Sequence, residues 1–414
     1  MRMSAEGIIS EVAERLQIEI RLDSIASWRV SHLRHRATAT RQVDPGLFMG
    51  QGTGPSEEEA SARAVMEWLE RYAQFGPVLP RIAVTAPYVS VADAIPPPEL
   101  GLYAPSQYLA GFPCAPFRPD DPIEWVEGRD LAAGTRCLVP IEFIHPTAAI
   151  DRAPLVCETS SGTAAHVSAP AAALAALCEV IERDAFMLFW HRLPPTPTLS
   201  LQTLPPSPCA EDLRVLQAMG FVVTICCLDN GIGIPCFLVL AFQSTALAYG
   251  LGCHPSAALA LEHAVSELVS GVTWVIEAPP AWLLHRALPE VRSHLDHYQL
   301  YHRGPLHGVL RQALAQALLR ASDRHPWQST DGPFTDEAAL RHVLGRLAAR
   351  GYSAIGFDLT PEAVAGTGGH VARVLVPGLV PIHFGVNRIR LGCRRLIGRD
   401  APGRLSTLLP HFMH

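Results

Sequence analysis

From residue 170 to residue 192 the chain reads through Leu174, Leu177, Val180, Ile181, Phe186, Met187, Leu188, Phe189 and Trp190, so a helix over this stretch is apolar on nearly every side. A helix without a polar stripe is buried. It nevertheless carries Glu179 and Glu182 in its middle, and carboxylates in such a place must be protonated, ion-paired or metal-bound. Whatever fold the chain adopts has to bring neutralising charge to this helix.

The acidic signature is duplicated. Glu179-Val180-Ile181-Glu182-Arg183 has an earlier counterpart in Glu67-Trp68-Leu69-Glu70-Arg71, and each follows a glycine turn, Ser161-Gly162 and Gly50-Gln51-Gly52 respectively. Residues three apart share a helix face. Two such faces brought together place four carboxylates around one point. That arrangement needs cations, and hard oxygen-seeking ions such as Mg2+ fit it best. A third, fainter unit joins Gly250-Leu251-Gly252 to Glu267, with Ser270 where the other two units have their second glutamate.

Composition narrows the chemistry by elimination. All 33 basic residues are arginine, because the sequence contains no lysine. This excludes a Walker A loop, Schiff-base chemistry on lysine and a lysine general base, so any bound phosphate is neutralised by arginine and metal. The 414 residues are 49% hydrophobic, which predicts an ordered globular protein with a large core. A net charge of −6 gives no footprint for nucleic acid, and the short run Arg388, Arg390, Arg394, Arg395 reads as a solvated face or an internal anion clamp. The ten cysteines form no CxxC pair and read as small buried hydrophobes. The first 16 residues lack the apolar core of a signal peptide and no uncharged stretch reaches spanning length, so the expectation is a cytoplasmic protein off the membrane.

Periodicity and breakers predict an α/β chain, a sheet covered by helices. Helical spacing runs over 8–20 and a strand is expected at 25–33. A helix over 56–74 opens on Ser56 followed by Glu57, Glu58 and Glu59, an N-cap with acids where the dipole favours them. Residues 76–156 read as short strands and loops broken at Pro96-Pro97-Pro98 and Pro122. Pro170 suits a helix start, 194–208 reads as an exposed proline-rich loop, and 221–228 and 236–242 as strands about Asn230-Gly231. Helices at 255–275, 307–321 and 336–350 and strands at 353–359 and 370–376 follow.

Three long motifs in this order resemble the YcaO family, in its azoline-forming peptide-maturation branch, the cyclodehydratase D component. They are Gly50-Gln51-Gly52 with Glu67, Glu70, Arg71 and Tyr72; Thr159 to Ala165 with Glu179, Glu182, Arg183 and Asp184; and Asp358-Leu359-Thr360 with Arg373-Val374-Leu375-Val376-Pro377-Gly378-Leu379. The resemblance implies a YcaO-type α/β fold of repeated strand-helix units. Packed helices carry carboxylates around an ATP and Mg2+ site. It divides the chain into an extension at 1–45, a YcaO domain at 46–396 and a tail at 397–414. The implied activity is ATP-dependent cyclodehydration. Cys, Ser or Thr side chains of a ribosomally made precursor peptide add to the preceding carbonyl, and phosphorylation of the amide oxygen lets it leave, giving azolines on the way to thiazole- or oxazole-bearing peptides such as bacteriocins.

Carried onto this sequence, the resemblance makes Glu67, Glu70, Glu179 and Glu182 the metal carboxylates, with Arg71, Arg183 and Arg373 as phosphate contacts. Arg63 stands where the family usually has serine, Ser161 where it has asparagine and Ser270 where it has glutamine, all at the nucleotide pocket. The chain closes on Pro410-His411-Phe412-Met413-His414 instead of a proline-rich tail, which makes His411 and His414 candidates for the tail's chemistry. With about 45 residues ahead of the family core, a separate leader-peptide-binding partner resembling the ubiquitin-activating enzymes is expected, and a homodimer. Two other readings stay open: a scaffold subunit without ATP turnover, and backbone thioamidation using the same glutamates.

Overall fold

The structure is a computed structural model describing residues 4–24, 35–41, 48–77, 79–146, 148, 152–277, 288–320, 324–325, 334–396 and 409–413. The strand expected at 25–33 and His414 lie outside the described residues. In chain order the first half contains α1 (Ala5–Arg15), β1 (Ile18–Ser24), β2 (His35–Arg41), β3 (Gly50–Gly54), α2 (Glu57–Phe75), β4 (Ile82–Pro87), β5 (Pro122–Asp130), β6 (Arg136–Pro140), β7 (Thr163–His166) and α3 (Ala169–Arg192). There follow β8 (Thr198–Leu199), α4 (Pro208–Ala218), β9 (Val222–Cys227), β10 (Cys236–Gln243), β11 (Ala246–Cys253) and α5 (Ala257–Glu277). The chain ends with α6 (His294–Tyr301), α7 (His307–Arg320), β12 (Arg324–His325), α8 (Asp336–Ala348), β13 (Ile355–Asp358) and β14 (His370–Leu375).

These strands form three sheets: β1-β2-β3, β11-β10-β9-β8-β12, and β4-β5-β13-β14-β7 with β6 paired to β5. Helix α3 packs against β7 and β14 of the third sheet and against β10 and β11 of the second, which buries it as its apolar surround requires. Its start is set by Ser168, whose hydroxyl accepts the Ala171 amide at 3.3 Å, with Pro170 in the first turn. Ser56 caps α2 in the same way through Glu59 N–H. Among the described residues no helix is long and apolar enough to cross a membrane.

Several local expectations are corrected. Ile18 and Ile20 belong to β1 and not to the first helix, because Gln17 takes φ 55° and turns the chain out of it. The 194–208 stretch is exposed only in part: Pro194, Pro195, Pro205, Pro206 and Pro208 face solvent, but Thr196, Leu199, Leu201 and Leu204 are buried between them, and β8 pairs with β9. Pro122 opens β5, a position where a missing amide is tolerated, and does not interrupt it. The glycine runs also differ from the turns expected. Gly50-Gln51-Gly52 lies in β3 and Gly250-Leu251-Gly252 in β11; the second run alone is a turn, with Gly162 at φ 86°.

The strand glycines are there because a helix lies directly on them. A Cβ on Gly50 would stand 1.9 Å from Ala64 O, and one on Gly52 2.0 Å from Ala60 O. Gly250 and Gly252 meet Ala264 O and Ala260 O at 2.0 Å each, so the first and third units share one construction. Gly250→Ala is therefore expected to cost about 3 kcal/mol or more, since backbone, and not a movable side chain, is in the way. A thermal melt at or above that of the unsubstituted protein would show that α5 lifts off β11 freely.

Candidate active site

Each glycine run, in a strand for the first and third units and in a turn for the second, brings a backbone amide to a helix carboxylate. Gln51 N–H donates to Glu67 Oε2 at 2.6 Å, Gly162 N–H to Glu179 Oε2 at 2.9 Å and Leu251 N–H to Glu267 Oε2 at 3.0 Å. The same bond recurs three times, once per unit. Glu182, one turn beyond Glu179, accepts the Cys253 amide, so α3 is tied to β11 as well as to its own turn. Arg183 bridges Glu179 at 3.2 Å and Glu182 at 2.9 Å, and Arg71 pairs with Glu67. Glu70 has no hydrogen-bond partner among the described residues.

Charge couples all five carboxylates. Burial, then Glu179 and Glu67, raises the Glu70 carboxyl well above its usual value, against Arg71 and Arg373. Burial pushes Glu182 up to about 8, opposed by Arg183 and reinforced by Glu267 and Glu179. Glu267 is raised by burial too, and both Glu179 and Glu67 act on it. Burial works against the charge of Arg183, but Glu182, Glu179 and Glu267 outweigh it and hold the guanidinium protonated. Five carboxylates against three arginines, Arg71, Arg183 and Arg373, leave an excess of negative charge that a cation would relieve.

The sequence matches the model of the YcaO family, described as a YcaO cyclodehydratase, ATP- and Mg2+-binding, over residues 51–380. The chain belongs to the YcaO family. It is 25% identical over 377 residues, covering 86% of this chain and 83% of the relative, to an uncharacterized protein in the tfuA 3′ region of Rhizobium leguminosarum bv. trifolii. A heterocyclase in complex with substrate and cofactor superposes with a TM-score of 0.74 at 17% identity, covering 99% of this chain but 57% of that one, so the chain spans little more than half of that protein. YcaO from Methanopyrus kandleri bound with AMPPCP and Mg2+ gives 0.65 at 19% identity, covering 97% of this chain and 96% of that one. The E. coli microcin synthetase McbBCD complex with pro-MccB17 bound gives 0.67 at 14%, covering 94% and 96%.

The residues fit the ATP and Mg2+ that the YcaO family binds. Glutamate oxygens are hard donors suited to Mg2+, and Glu70, raised and without a partner, has an oxygen to give. Among the described residues no three carboxylate, imidazole or thiol groups form a ready-made metal cage.

The remaining expected site residues divide. Arg63 is exposed; it donates to Thr53 O at 2.6 Å and reaches Ser266 Oγ of α5 at 3.4 Å, tying the first unit to the third. Ser270 keeps its carbonyl on Thr273 Oγ1. The Ser161 carbonyl accepts from Arg373 at 2.8 Å. Arg373 itself is fully buried. Its guanidinium also donates to Thr159 O, Thr163 Oγ1 and Phe143 O at 3.0–3.1 Å and lies 3.7 Å from Glu158. Both terminal nitrogens of Arg373 are thus engaged by protein acceptors around the second glycine turn, while its Nε has no partner among the described residues.

His411 is likewise no free end. Its Nε2–H donates to His383 O at 2.6 Å, and its ring stands 4.5 Å from His297 and 5.2 Å from His383, while burial holds its pKa well below the usual range. Phe412 fills the space beside Phe186 and Trp190, which pulls the tail inside. Among the described tail residues Met413 reaches the site, its sulfur 4.0 Å from Arg183 Nη1. Two further acids matter here that the sequence reading left out of the site. Glu267 was legible from its glycine strand. Glu158, which joins Arg373 to Arg390 at 3.3 Å, was not, because its partners lie more than two hundred residues away. The motif at Asp358 and Leu359 lies apart, lining a cavity of about 520 Å3 with Arg81, Glu127 and Arg136.

Proposed function

We propose that the chain is the ATP-dependent cyclodehydratase component of a peptide-maturation system, converting Cys, Ser or Thr of a ribosomally made precursor to azolines in the cytoplasm. The observation that carries this is the set of three carboxylates, Glu67, Glu179 and Glu267, each held by a backbone amide of one of the three glycine motifs, with Glu182 and Arg183 beside them. Glu67, Glu70, Glu179 and Glu182, with Glu267, are the residues that would hold Mg2+; Arg71 and Arg183 would contact the phosphates. When bound, the nucleotide and its metal supply the phosphoryl group that turns a poorly leaving amide oxygen into a phosphate. The backbone amides fix the rotamers of Glu67, Glu179 and Glu267, so these need no reorganisation when charge develops. Arg183 is held charged and directed by Glu179 and Glu182, and Met413 packs against its outer edge. Arg373 acts behind them by fixing the turn whose Gly162 amide orients Glu179. In our reading the precursor is delivered by a separate leader-binding protein resembling ubiquitin-activating enzymes, and the chain works as a homodimer.

Mixing the chain, that partner, precursor, ATP and Mg2+ is expected to give a peptide lighter by one water per ring with one phosphate released, and Glu67→Gln is expected to lose about a hundredfold of that rate. A folded protein that binds no ATP by calorimetry would favour a scaffold. Exchange of oxygen for sulfur only with added sulfide would favour thioamidation.

A further inference from the structure

Away from the carboxylates, two cysteines face each other. Cys114 Sγ and Cys157 Sγ are 3.4 Å apart, and the backbones around them are joined where Ala115 N–H donates to Pro154 O at 2.9 Å. Tyr103 OH sits between the two, accepting from Cys157 N–H at 3.2 Å and standing 3.8 Å from Cys114 Sγ. Cys157 is half-buried, whereas Cys114 is buried behind it. We propose that Cys114 and Cys157 form an oxidisable thiol pair, with Cys157 attacking a peroxide and Cys114 resolving the product to a disulfide that disturbs the second glycine turn.

The surroundings separate Cys157 from the other thiols. Burial pushes Cys226 and Cys209 up to about 12 and Cys137 up to about 11, which makes them poor nucleophiles near neutrality. Cys157 is instead drawn down to about 6, first by the hydrogen bond from Cys114 and then by Arg388 and Arg390, against its burial. A low-lying, partly exposed thiolate beside a second sulfur is the arrangement of a redox-sensing pair. The thiolate attacks one peroxide oxygen, the O–O bond breaks, and the other oxygen leaves as water once protonated. Cys114 then attacks the sulfenic sulfur, the S–S bond forms and a second water leaves. Two thiols lose two electrons and one peroxide gains them. The sulfurs must close from 3.4 Å to roughly 2 Å, a movement the chain around residue 157 has to absorb.

That chain is the anchor of the turn. Arg390 donates to Cys157 O at 3.1 Å and to Glu158 at 3.3 Å, and Glu158 pairs with Arg373. Arg373 in turn holds Thr159 O and Ser161 O, immediately before the Gly162 amide that orients Glu179. Drawing Cys157 toward Cys114 pulls on each of these bonds. The pair is independent of whether the site turns over ATP, so its test is chemical.

Treating the full-length protein with one equivalent of hydrogen peroxide is expected to give one tryptic cross-link, Cys114 to Cys157, lighter by two hydrogens, with the other cysteines still alkylated after unfolding. Amide exchange across residues 159–166 is expected to speed up several-fold in the oxidised protein and to return with a reducing agent. In Cys114→Ser, dimedone is expected to trap the sulfenic acid on Cys157. A cross-link through other cysteines, Cys157 left reduced, or exchange unchanged after oxidation would each overturn the proposal; the wild-type mapping holds whether or not the variant folds.

Discussion

Changing Glu182 to glutamine is expected to raise the melting temperature at pH 8 while removing most ATP-dependent turnover. In the fold, burial and the nearby Glu267 and Glu179 hold the Glu182 carboxyl at about 8, against an ordinary 4.5. The folded chain therefore keeps a proton that the unfolded chain loses, and stability falls as pH rises from about 4.5 toward 8. Each unit of that gap is worth about 1.4 kcal/mol, so the charge costs on the order of 4–5 kcal/mol above pH 8. Glutamine removes the cost and keeps the shape, but it also takes one of the carboxylates that Arg183 touches. Since Glu179 remains on Arg183 at 3.2 Å, the loss is partial and a net gain of about 1–3 kcal/mol is expected. The gain should nearly vanish at pH 5. Turnover should fall about a hundredfold or more, as a group aimed at the charged intermediate is lost. Thermal melts at pH 5 and pH 8 in chelator, beside the dehydration assay, read both effects. A variant less stable than the parent at pH 8 would mean that Glu182 is a net structural ion pair.

The opposition between stability and activity at this helix was visible in the sequence, because no stripe of polar residues accompanies Glu179 and Glu182. The helix start at Ser168-Ala169-Pro170 and the capped start at Ser56 were equally local and equally legible. Glu267 shows the limit of a signature search. Gly50, Gly52, Ala60, Ala64 and Glu67 recur as Gly250, Gly252, Ala260, Ala264 and Glu267 at a constant offset of 200 residues, yet Ser270 breaks the paired-acid pattern that marked the other two units. The geometry depends on the first acid over its strand amide, not on the second. Strands and turns were confused at Gly50 and Gly250 for a related reason. A glycine required by close approach of a helix looks, in one dimension, the same as a glycine required by a positive φ. The buried tail and the Glu158 network had no local sign at all, since each is made by residues more than a hundred positions apart meeting in the core.

Replacing Arg373 is expected to have the largest effect on folding. Its guanidinium satisfies three backbone carbonyls and the Thr163 hydroxyl and stands by Glu158, whose side chain is almost wholly buried. Arg373→Met leaves a buried carboxylate with Arg390 alone and strands the carbonyls around the second turn. Losing one partner of a buried pair costs about 3–5 kcal/mol and each stranded group about 1–3. Even without full additivity the total approaches the 5–15 kcal/mol that keeps a domain folded, so the variant is expected to be largely insoluble. Arg373→Lys is the informative companion, because it keeps the charge but a single ammonium cannot span acceptors on both sides of the turn. It should fold with a clearly lower melting temperature. A phosphate contact and a positioning role then part company on adding ATP and Mg2+. If Arg373 only holds the turn, nucleotide should still raise the melting temperature of Arg373→Lys by nearly as much as it raises that of the parent; a rise abolished in the lysine variant would put the guanidinium on the phosphate after all.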